Sequence, residues 1–219
     1  MRQSIKQLIK SFPLLHNITR RARSNWVITK EQRRLKKSSQ NSPIRIAIGA
    51  SNIFDEGWIY TDIEYLNLLI PKHWERAFNK NSIDAMLAEH VWEHLTLHEG
   101  LTAAKQCFEY LKPGGYLRVA VPDGFHPDQK YIEGVKVDGT GPGADDHKVL
   151  YTYKTLKELF SSAGFRVELL EYFDAEGEFH FVNWDTRSGT IRRSLRFDKR
   201  NANGELKYTS IILDAHKDR

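Results

Sequence analysis

The sequence has little cysteine and no long apolar segment. Cys107 is the only cysteine among 219 residues, so an internal disulfide is impossible and a zinc site built on several cysteines is excluded. The uncharged apolar stretches are as long as strands and fall short of the roughly 18 residues that a membrane-spanning helix needs. No apolar core with a small-residue cleavage site follows Met1. We therefore expect no secretory signal and predict a cytoplasmic protein.

Acidic residues are almost absent from residues 1–42. This segment holds eleven lysines and arginines and one acid, Glu31, which gives a net charge of +10. The rest of the chain holds 22 basic and 27 acidic residues, a net charge of −5, although the whole chain carries +5. The high isoelectric point therefore reflects a basic arm attached to a mildly acidic domain. We predict no specific binding of nucleic acid.

The basic arm contains one helical pattern. Apolar residues recur at positions i, i+3, i+4 and i+7, and Pro13 ends the pattern; they are Ile5, Leu8, Ile9 and Phe12. This amphipathic helix either packs on the domain or lies on an anionic membrane surface, which would make the protein peripheral to a membrane. Residues 38–43 have the composition of a linker. We therefore divide the chain into the arm, 1–42, and one domain, 43–219.

Apolar segments alternate with helical patterns after residue 43. Two helices are predicted, at 97–111 and 153–163. Buried strands are predicted in five segments, at 44–51, 57–64, 82–88, 116–124 and 165–173. Continuous apolar strands that alternate with helices indicate an α/β fold whose parallel sheet is covered on both faces. Near the C-terminus, 189–197 and 207–215 flank an Asn-Gly pair, which predicts an antiparallel hairpin at the edge of the sheet.

The segment "AEHVWEHL" at Ala88–Leu95 fits H-x-x-E-H, a zinc-peptidase pattern. Two histidines four apart can bind one ion if the segment is helical. However, the segment follows a predicted buried strand and leads into a helix. This location is the carboxyl end of a strand in an α/β sheet, where ligands bind in such folds. His94 with a purely structural hydrogen bond is a further alternative.

Two residues near the first two predicted strands suggest a nucleotide-like ligand. Gly49 follows the first strand and precedes small residues, so the backbone there can approach a ligand closely. Asp62 ends the second segment, where a carboxylate can accept hydrogen bonds from ribose hydroxyls. Asp62 fits equally well as a residue that begins a turn. There is no G-x-G-x-x-G fingerprint and no phosphate-binding P-loop sequence.

Three segments together resemble one family. "IAIGAS…GWIYTDIE", "SIDAMLAEHVWEHL" and "LKPGGYLRVAVPDG" are similar to class I S-adenosylmethionine-dependent methyltransferases, and more narrowly to the type 11 group. The resemblance covers residues 44–173. It implies a Rossmann-like, doubly wound, mostly parallel sheet with a C-terminal antiparallel hairpin, and S-adenosyl-L-methionine as the cofactor. The family usually has G-x-G-x-G in its first motif, where this chain has Gly49-Ala50-Ser51.

The resemblance also implies roles for individual residues. Gly49, Ala50 and Ser51 would face the methionine part of the cofactor. Asp62 would hold the ribose, and Ile63 would pack near the adenine. Glu89 and His90 would line the floor of the site near the methyl group. No metal ligands are predicted.

A glycine-rich segment after the fourth predicted strand is the expected substrate loop. It holds His126, Asp145, Asp146 and His147, and it has four glycines from Gly134 to Gly143. A hydroxyl acceptor benefits from a general base near neutral pH, and histidine is suited to that role. We predict His147 as the base, oriented by Asp145 or Asp146, with His126 as the second candidate. Alternatively, the two aspartates cap the following helix.

These observations predict a methyltransferase that acts on a small-molecule or glycan acceptor, with oxygen as the acceptor atom. Two other functions stay open at this stage. One is a binding module that keeps the fold without catalysis, and the other is a zinc hydrolase. Neither the identity of the acceptor nor the oligomeric state can be derived from the sequence.

Overall fold

A computed structural model of the protein describes residues 28–40, 43–50 and 56–219. The strands are β1 Arg45–Ile48, β2 Ile59–Tyr60, β3 Ile83–Glu89, β4 Leu111–Pro122, β5 Arg166–Phe173, β6 Phe179–Phe181 and β7 Ser210–His216. The α-helices are α1 at 28–38, α2 Pro71–Ala77, α3 Leu97–Tyr110, α4 Gln129–Val135 and α5 Tyr153–Ser162. Short 3₁₀-helices occupy Trp92–His94, Ala144–Asp146, Thr186–Ser188 and Lys199–Gly204. None of the described helices combines the length and apolar character needed to cross a membrane.

The seven strands form one mixed sheet in the order β2-β1-β3-β4-β7-β5-β6. The strands β2, β1, β3 and β4 run parallel, whereas β7 is antiparallel to both of its neighbours and β6 is antiparallel to β5. This arrangement confirms the predicted fold class, a parallel core with antiparallel strands at the C-terminal side. The inner strands β3 and β4 are mostly buried because helices and loops cover both faces of the sheet.

The predicted C-terminal hairpin is only partly correct. Its second half forms β7, but this strand lies between β4 and β5 rather than at the edge. Its first half, 189–197, forms turns, and the antiparallel hairpin is built instead by β5 and β6. The physical reason is that backbone N–H groups of Arg192 and Arg193 donate to the carboxylate of Glu89 instead of joining a strand ladder. Ile191 is wholly buried in a small apolar cluster on one sheet face.

The helix α1 lies in the segment predicted as the basic arm and packs against the domain. Leu35 is wholly buried in the main core. Arg34 donates to the carbonyl oxygen of Tyr60 at 3.0 Å, and Ser39 donates to that of Ala77 at 2.9 Å. The amphipathic pattern predicted at 5–12 lies outside the described residues, and the domain boundary at residue 42 stays a prediction.

The helices α3 and α5 begin with capping boxes. Thr96 accepts the N–H of Glu99 while the Glu99 carboxylate accepts the N–H of Thr96. Thr152 and Thr155 make the equivalent pair at the start of α5. Such caps satisfy backbone donors that have no partner within the helix. The caps explain why α3 and α5 begin directly after the two loops that border the site described next.

Candidate functional site

A cleft of about 400 Å³ opens at the carboxyl ends of β1 and β3. One wall is apolar and comes from the loop after β2, with Ile63 and residues 66–69. The other wall is polar and carries His90, His94 and Asp146. The volume is within the range of small-molecule sites, and the position is where α/β sheets bind ligands.

Gly49 closes the end of β1 against the cleft. Its φ angle is +65°, and a Cβ atom there would lie 3.0 Å from Cγ2 of Val91. The next residue, Ala50, donates its N–H to the carbonyl oxygen of Thr61 at 3.1 Å and lines a smaller cavity of about 50 Å³. The backbone conformation and the close contact both favour glycine at this position. Ser51, predicted beside them, lies outside the described residues.

Asp62 and Ile63 begin the turn that follows β2. One carboxylate oxygen of Asp62 accepts the N–H of Glu64 at 3.3 Å, and its carbonyl oxygen accepts the N–H of Leu66 at 2.8 Å. Asp62 therefore begins a turn, which is one of the two roles that the sequence allows for it. The other role, binding of the ribose, stays a prediction. The Ile63 side chain is 68% exposed and lines the cleft. Its exposure fits a surface that a flat apolar ligand group could cover.

Glu89 ends β3 and does not line the main cleft. Its carboxylate accepts the N–H groups of Arg192 at 3.2 Å and Arg193 at 2.8 Å, and it lines the smaller cavity with these residues. This contact holds the segment after residue 189 against the sheet, and the place of Glu89 on the floor of a cofactor site stays a prediction.

His90 has a left-handed backbone, with φ of +56°, and lines the main cleft. Its Nδ1 atom lies 3.0 Å from Oε1 of Glu93, and its Nε2 atom lies 3.1 Å from Oγ of Ser210. The residues Trp92–His94 form a single 3₁₀ turn rather than an α-helix. His90 and His94 therefore do not share a helical face, and the ligand arrangement of the zinc-peptidase pattern is absent.

The predicted base, His147, is 8% exposed, and its ring contacts the ring of His94. Its ring centroid is 4.9 Å from that of His94, and its Nδ1 atom lies 2.7 Å from the carbonyl oxygen of Val135. Asp146 faces His94 instead of His147, with 3.4 Å between Oδ2 and Nδ1. The alternative that Asp145 and Asp146 cap the following helix is wrong, because Thr152 caps it.

The second candidate base, His126, does not line the main cleft. It is buried and stacks on Tyr131 with 3.9 Å between ring centroids. Its Nδ1 atom accepts the N–H of Asp128 at 3.1 Å. Burial lowers the pKa of this imidazole, which favours its neutral form. These contacts describe a structural histidine.

Several residues of the cleft were not foreseen from the sequence. Val91 and Leu95 lie within the same motif as His90, and Lys148 follows His147. The segment 66–69 could not be recognised as part of a site from the sequence, because its leucines are typical of an ordinary core. Val91 could have been found, since a motif placed on a turn brings its neighbours to the same strand end.

Searches of protein-family models and of curated proteins found no match. Several solved structures are similar to the chain. A methyltransferase from Thermotoga maritima, described as a possible histamine N-methyltransferase, is 13% identical over 91% of this chain and 96% of that one, with a TM-score of 0.46. An S-adenosylmethionine-dependent methyltransferase from Archaeoglobus fulgidus is 17% identical over 88% of this chain and 92% of that one, with a TM-score of 0.43.

Phosphoethanolamine N-methyltransferase 2 from Haemonchus contortus is 14% identical over 82% of this chain and 50% of that one, with a TM-score of 0.42. Such low identities and TM-scores do not indicate the activity or the acceptor of this chain. The strand order and directions are what identify the architecture. The chain has a class I methyltransferase fold. Membership of the type 11 group stays a prediction.

Proposed function

We propose that the protein is an S-adenosylmethionine-dependent methyltransferase that acts at an oxygen atom of a small-molecule or glycan acceptor. The observation that carries the proposal is the main cleft, which lies at the carboxyl ends of β1 and β3 and is bounded by Gly49 and His90. Both apolar and polar groups line it. A cofactor with an aromatic base and a polar amino-acid end needs both kinds of wall.

The residues around the cleft have separate tasks in this proposal. Ile63 and residues 66–69 cover the adenine and exclude water from it. Asp62 is not among the lining residues but begins the turn that carries Ile63, and its carboxylate oxygen that does not accept the Glu64 N–H would hold the ribose hydroxyls. Gly49 lets the backbone approach the methionine part, and a side chain there would press on Val91, which lines the same cleft. When bound, S-adenosyl-L-methionine supplies a methyl group on a positively charged sulfur atom.

The acceptor side of the cleft is the polar wall. Methyl transfer forms a carbon–oxygen bond as the sulfur–carbon bond breaks, and the acceptor hydroxyl loses its proton. Of the predicted catalytic residues, Asp146 lines this wall and His147 lies behind His94, whereas His126 is remote from it. We therefore assign the positioning of the acceptor oxygen to the group of His94, Asp146 and His147.

The experiment that tests the proposal is calorimetric titration of the purified protein with S-adenosylmethionine and with S-adenosylhomocysteine. We expect binding in the micromolar range, weakened at least tenfold in Asp62→Ala. The matched control is Glu64→Ala, which removes an exposed carboxylate from the same turn and should leave the affinity unchanged. Absence of binding by the folded wild-type protein would refute the proposal. Equal loss in both variants would assign the effect to the turn instead of to Asp62.

A further inference from the structure

Three side chains beside the cleft, of which only His94 lines it, could bind a metal ion together. Glu93 and His94 come from the 3₁₀ turn after β3, and His147 comes from the loop before α5. Each offers one ligand atom, and these atoms lie within 4.8 Å of one another. Backbone N–H groups of Lys148 and Val149 donate to the carbonyl oxygen of Glu93, which holds the loop against the turn. We propose that Glu93, His94 and His147 bind one divalent transition-metal cation.

The carboxylate of Glu93 is the first argument for a cation. The side chain is 1% exposed, and neither oxygen has a hydrogen-bond partner within the described part of the chain. His90 Nδ1 lies 3.0 Å from Oε1, which is ion-pair distance, but the contact lacks the geometry of a hydrogen bond. A buried carboxylate without partners is costly, and such groups usually have an ion or water beside them.

The hydrogen bond of His147 is the second argument. Its Nδ1 atom lies 2.7 Å from the carbonyl oxygen of Val135, and a carbonyl oxygen can only accept. The proton is therefore on Nδ1, and Nε2 carries the lone pair. Histidines that bind metals have this arrangement, because the second nitrogen donates to a carbonyl or a carboxylate and fixes the ring.

His94 connects the three side chains to the main cleft. Its ring lies 4.9 Å from that of His147, and its Nδ1 atom is buried without a hydrogen-bond partner in the described residues. Asp146, at 3.4 Å from this nitrogen, is mostly exposed and faces it from the cleft side. Because His94 lines the cleft, a cation bound to it would lie beside the cleft.

The ligand types decide which cation is expected. Two imidazoles and one carboxylate suit zinc, iron, cobalt or manganese better than magnesium or calcium, which prefer oxygen ligands. With about 2.0–2.1 Å between zinc and each ligand atom, the ligand atoms of a tetrahedral site lie about 3.3 Å apart. The side chains therefore have to move together by roughly an ångström, which rotation about side-chain bonds can supply.

The role of the ion rests on the proposed function, whereas the site itself does not. A cation at the polar wall would bind the acceptor oxygen and lower the pKa of its hydroxyl. The proton would leave to solvent or a nearby base, and the oxygen would be held at the acceptor end of the cleft.

A second group of side chains provides a matched control. Asp174, Glu178 and His180 also lie close enough to share an ion. However, Asp174 already accepts the N–H groups of Glu176 and Glu178 and lies 2.6 Å from Nε2 of His180. Its carboxylate is thus satisfied within the protein, and we expect no tight metal site there.

The test uses the purified full-length protein after treatment with a chelator and dialysis. Zinc is titrated by calorimetry, cobalt is followed by its visible absorption, and magnesium serves as the comparison ion. We expect one zinc ion per chain, weak or no magnesium binding, and a rise in melting temperature with zinc. His94→Gln and Glu93→Gln should each weaken zinc binding at least tenfold, and His180→Gln should leave it unchanged.

His94 is partly exposed, so His94→Gln should fold even if Glu93→Gln does not. Absence of zinc and cobalt binding by folded wild-type protein, or affinity unchanged in His94→Gln, would overturn the site. The titration with S-adenosylmethionine is a separate measurement. Zinc binding without cofactor binding would support the metal site and refute the methyltransferase, and the reverse result would refute the metal site alone.

Discussion

The Nδ1 atom of His147 lies 2.7 Å from the carbonyl oxygen of Val135. This contact joins the loop before α5 to the end of α4 and leaves Nε2 as the only nitrogen of the ring that can accept a proton or bind a cation. The sequence predicts His147 as a general base oriented by an aspartate. The structure orients the ring through a backbone carbonyl instead, and it places Asp146 beside His94.

Substitution of His147 should separate its structural contact from its ligand role. In His147→Asn the shorter amide can still donate to the Val135 carbonyl oxygen but offers nothing at the position of Nε2. We expect the free energy of unfolding without metal to fall by less than about 1 kcal/mol, since the hydrogen bond is kept. Zinc affinity should fall at least tenfold. Urea unfolding and zinc titration measure the two effects, and unchanged zinc affinity would contradict the assignment.

Replacement of Gly49 should affect both stability and cofactor binding. Gly49→Ala puts a side chain on a backbone with φ of +65° and brings its Cβ to 3.0 Å from Val91. Gly57→Ala is the matched control, because Gly57 has φ of +82° but no atom within 4 Å of the added Cβ. Both variants should lose about 1–2 kcal/mol of stability from backbone strain. In calorimetric titration only Gly49→Ala should bind S-adenosylmethionine more weakly.

The buried ion pair of Arg118 and Asp214 should be strongly coupled. Two guanidinium nitrogens donate to the two carboxylate oxygens at 2.8 and 2.7 Å, and both side chains are nearly inaccessible. Arg118→Met should cost about 3–5 kcal/mol, because Asp214 would stay buried without its partner. The double variant Arg118→Met/Asp214→Leu should lose less than the sum of the single losses. Urea unfolding of all four proteins measures the coupling, and additive losses would contradict it.

Asp123 should make stability depend on pH in an unusual direction. Burial raises the pKa of this carboxyl to about 6, although it accepts the N–H groups of Phe125 and Phe173. Because the pKa in the folded protein lies above the unfolded value, the contribution to stability is fully present below about pH 4. It is lost as the pH rises through about 6.

The measurement for Asp123 is urea unfolding of the wild type and of Asp123→Asn between pH 4 and pH 7. The difference in unfolding free energy between them should fall with rising pH, by at most about 3 kcal/mol. Comparing the two proteins removes the effects of the other titrating groups. A difference that grows with pH would mean that the two N–H donors outweigh burial.

Much of the fold could be predicted from local patterns. The helices α3 and α5 match the predicted segments within one or two residues, because their caps and apolar stripes are encoded locally. The inner strands could also be predicted, because they are continuous apolar segments. The hairpin was not, because "GTIRRSLRF" alternates like a strand, while its N–H groups bind a carboxylate on a distant strand, Glu89.

The candidate site, like the fold, could be predicted from the sequence only in part. The sequence alone determined the residue types at the strand ends: a glycine after β1, an aspartate after β2, and two histidines with a glutamate after β3. Chain connectivity places these at one edge of a parallel sheet. Only the tertiary structure decided that His90 and His94 separate on a 3₁₀ turn and that His147 joins Glu93. The contact between His147 and Glu93 joins residues more than fifty positions apart, and no local propensity specifies such a distance or the burial that leaves the Glu93 carboxylate without a hydrogen-bond partner in the described residues.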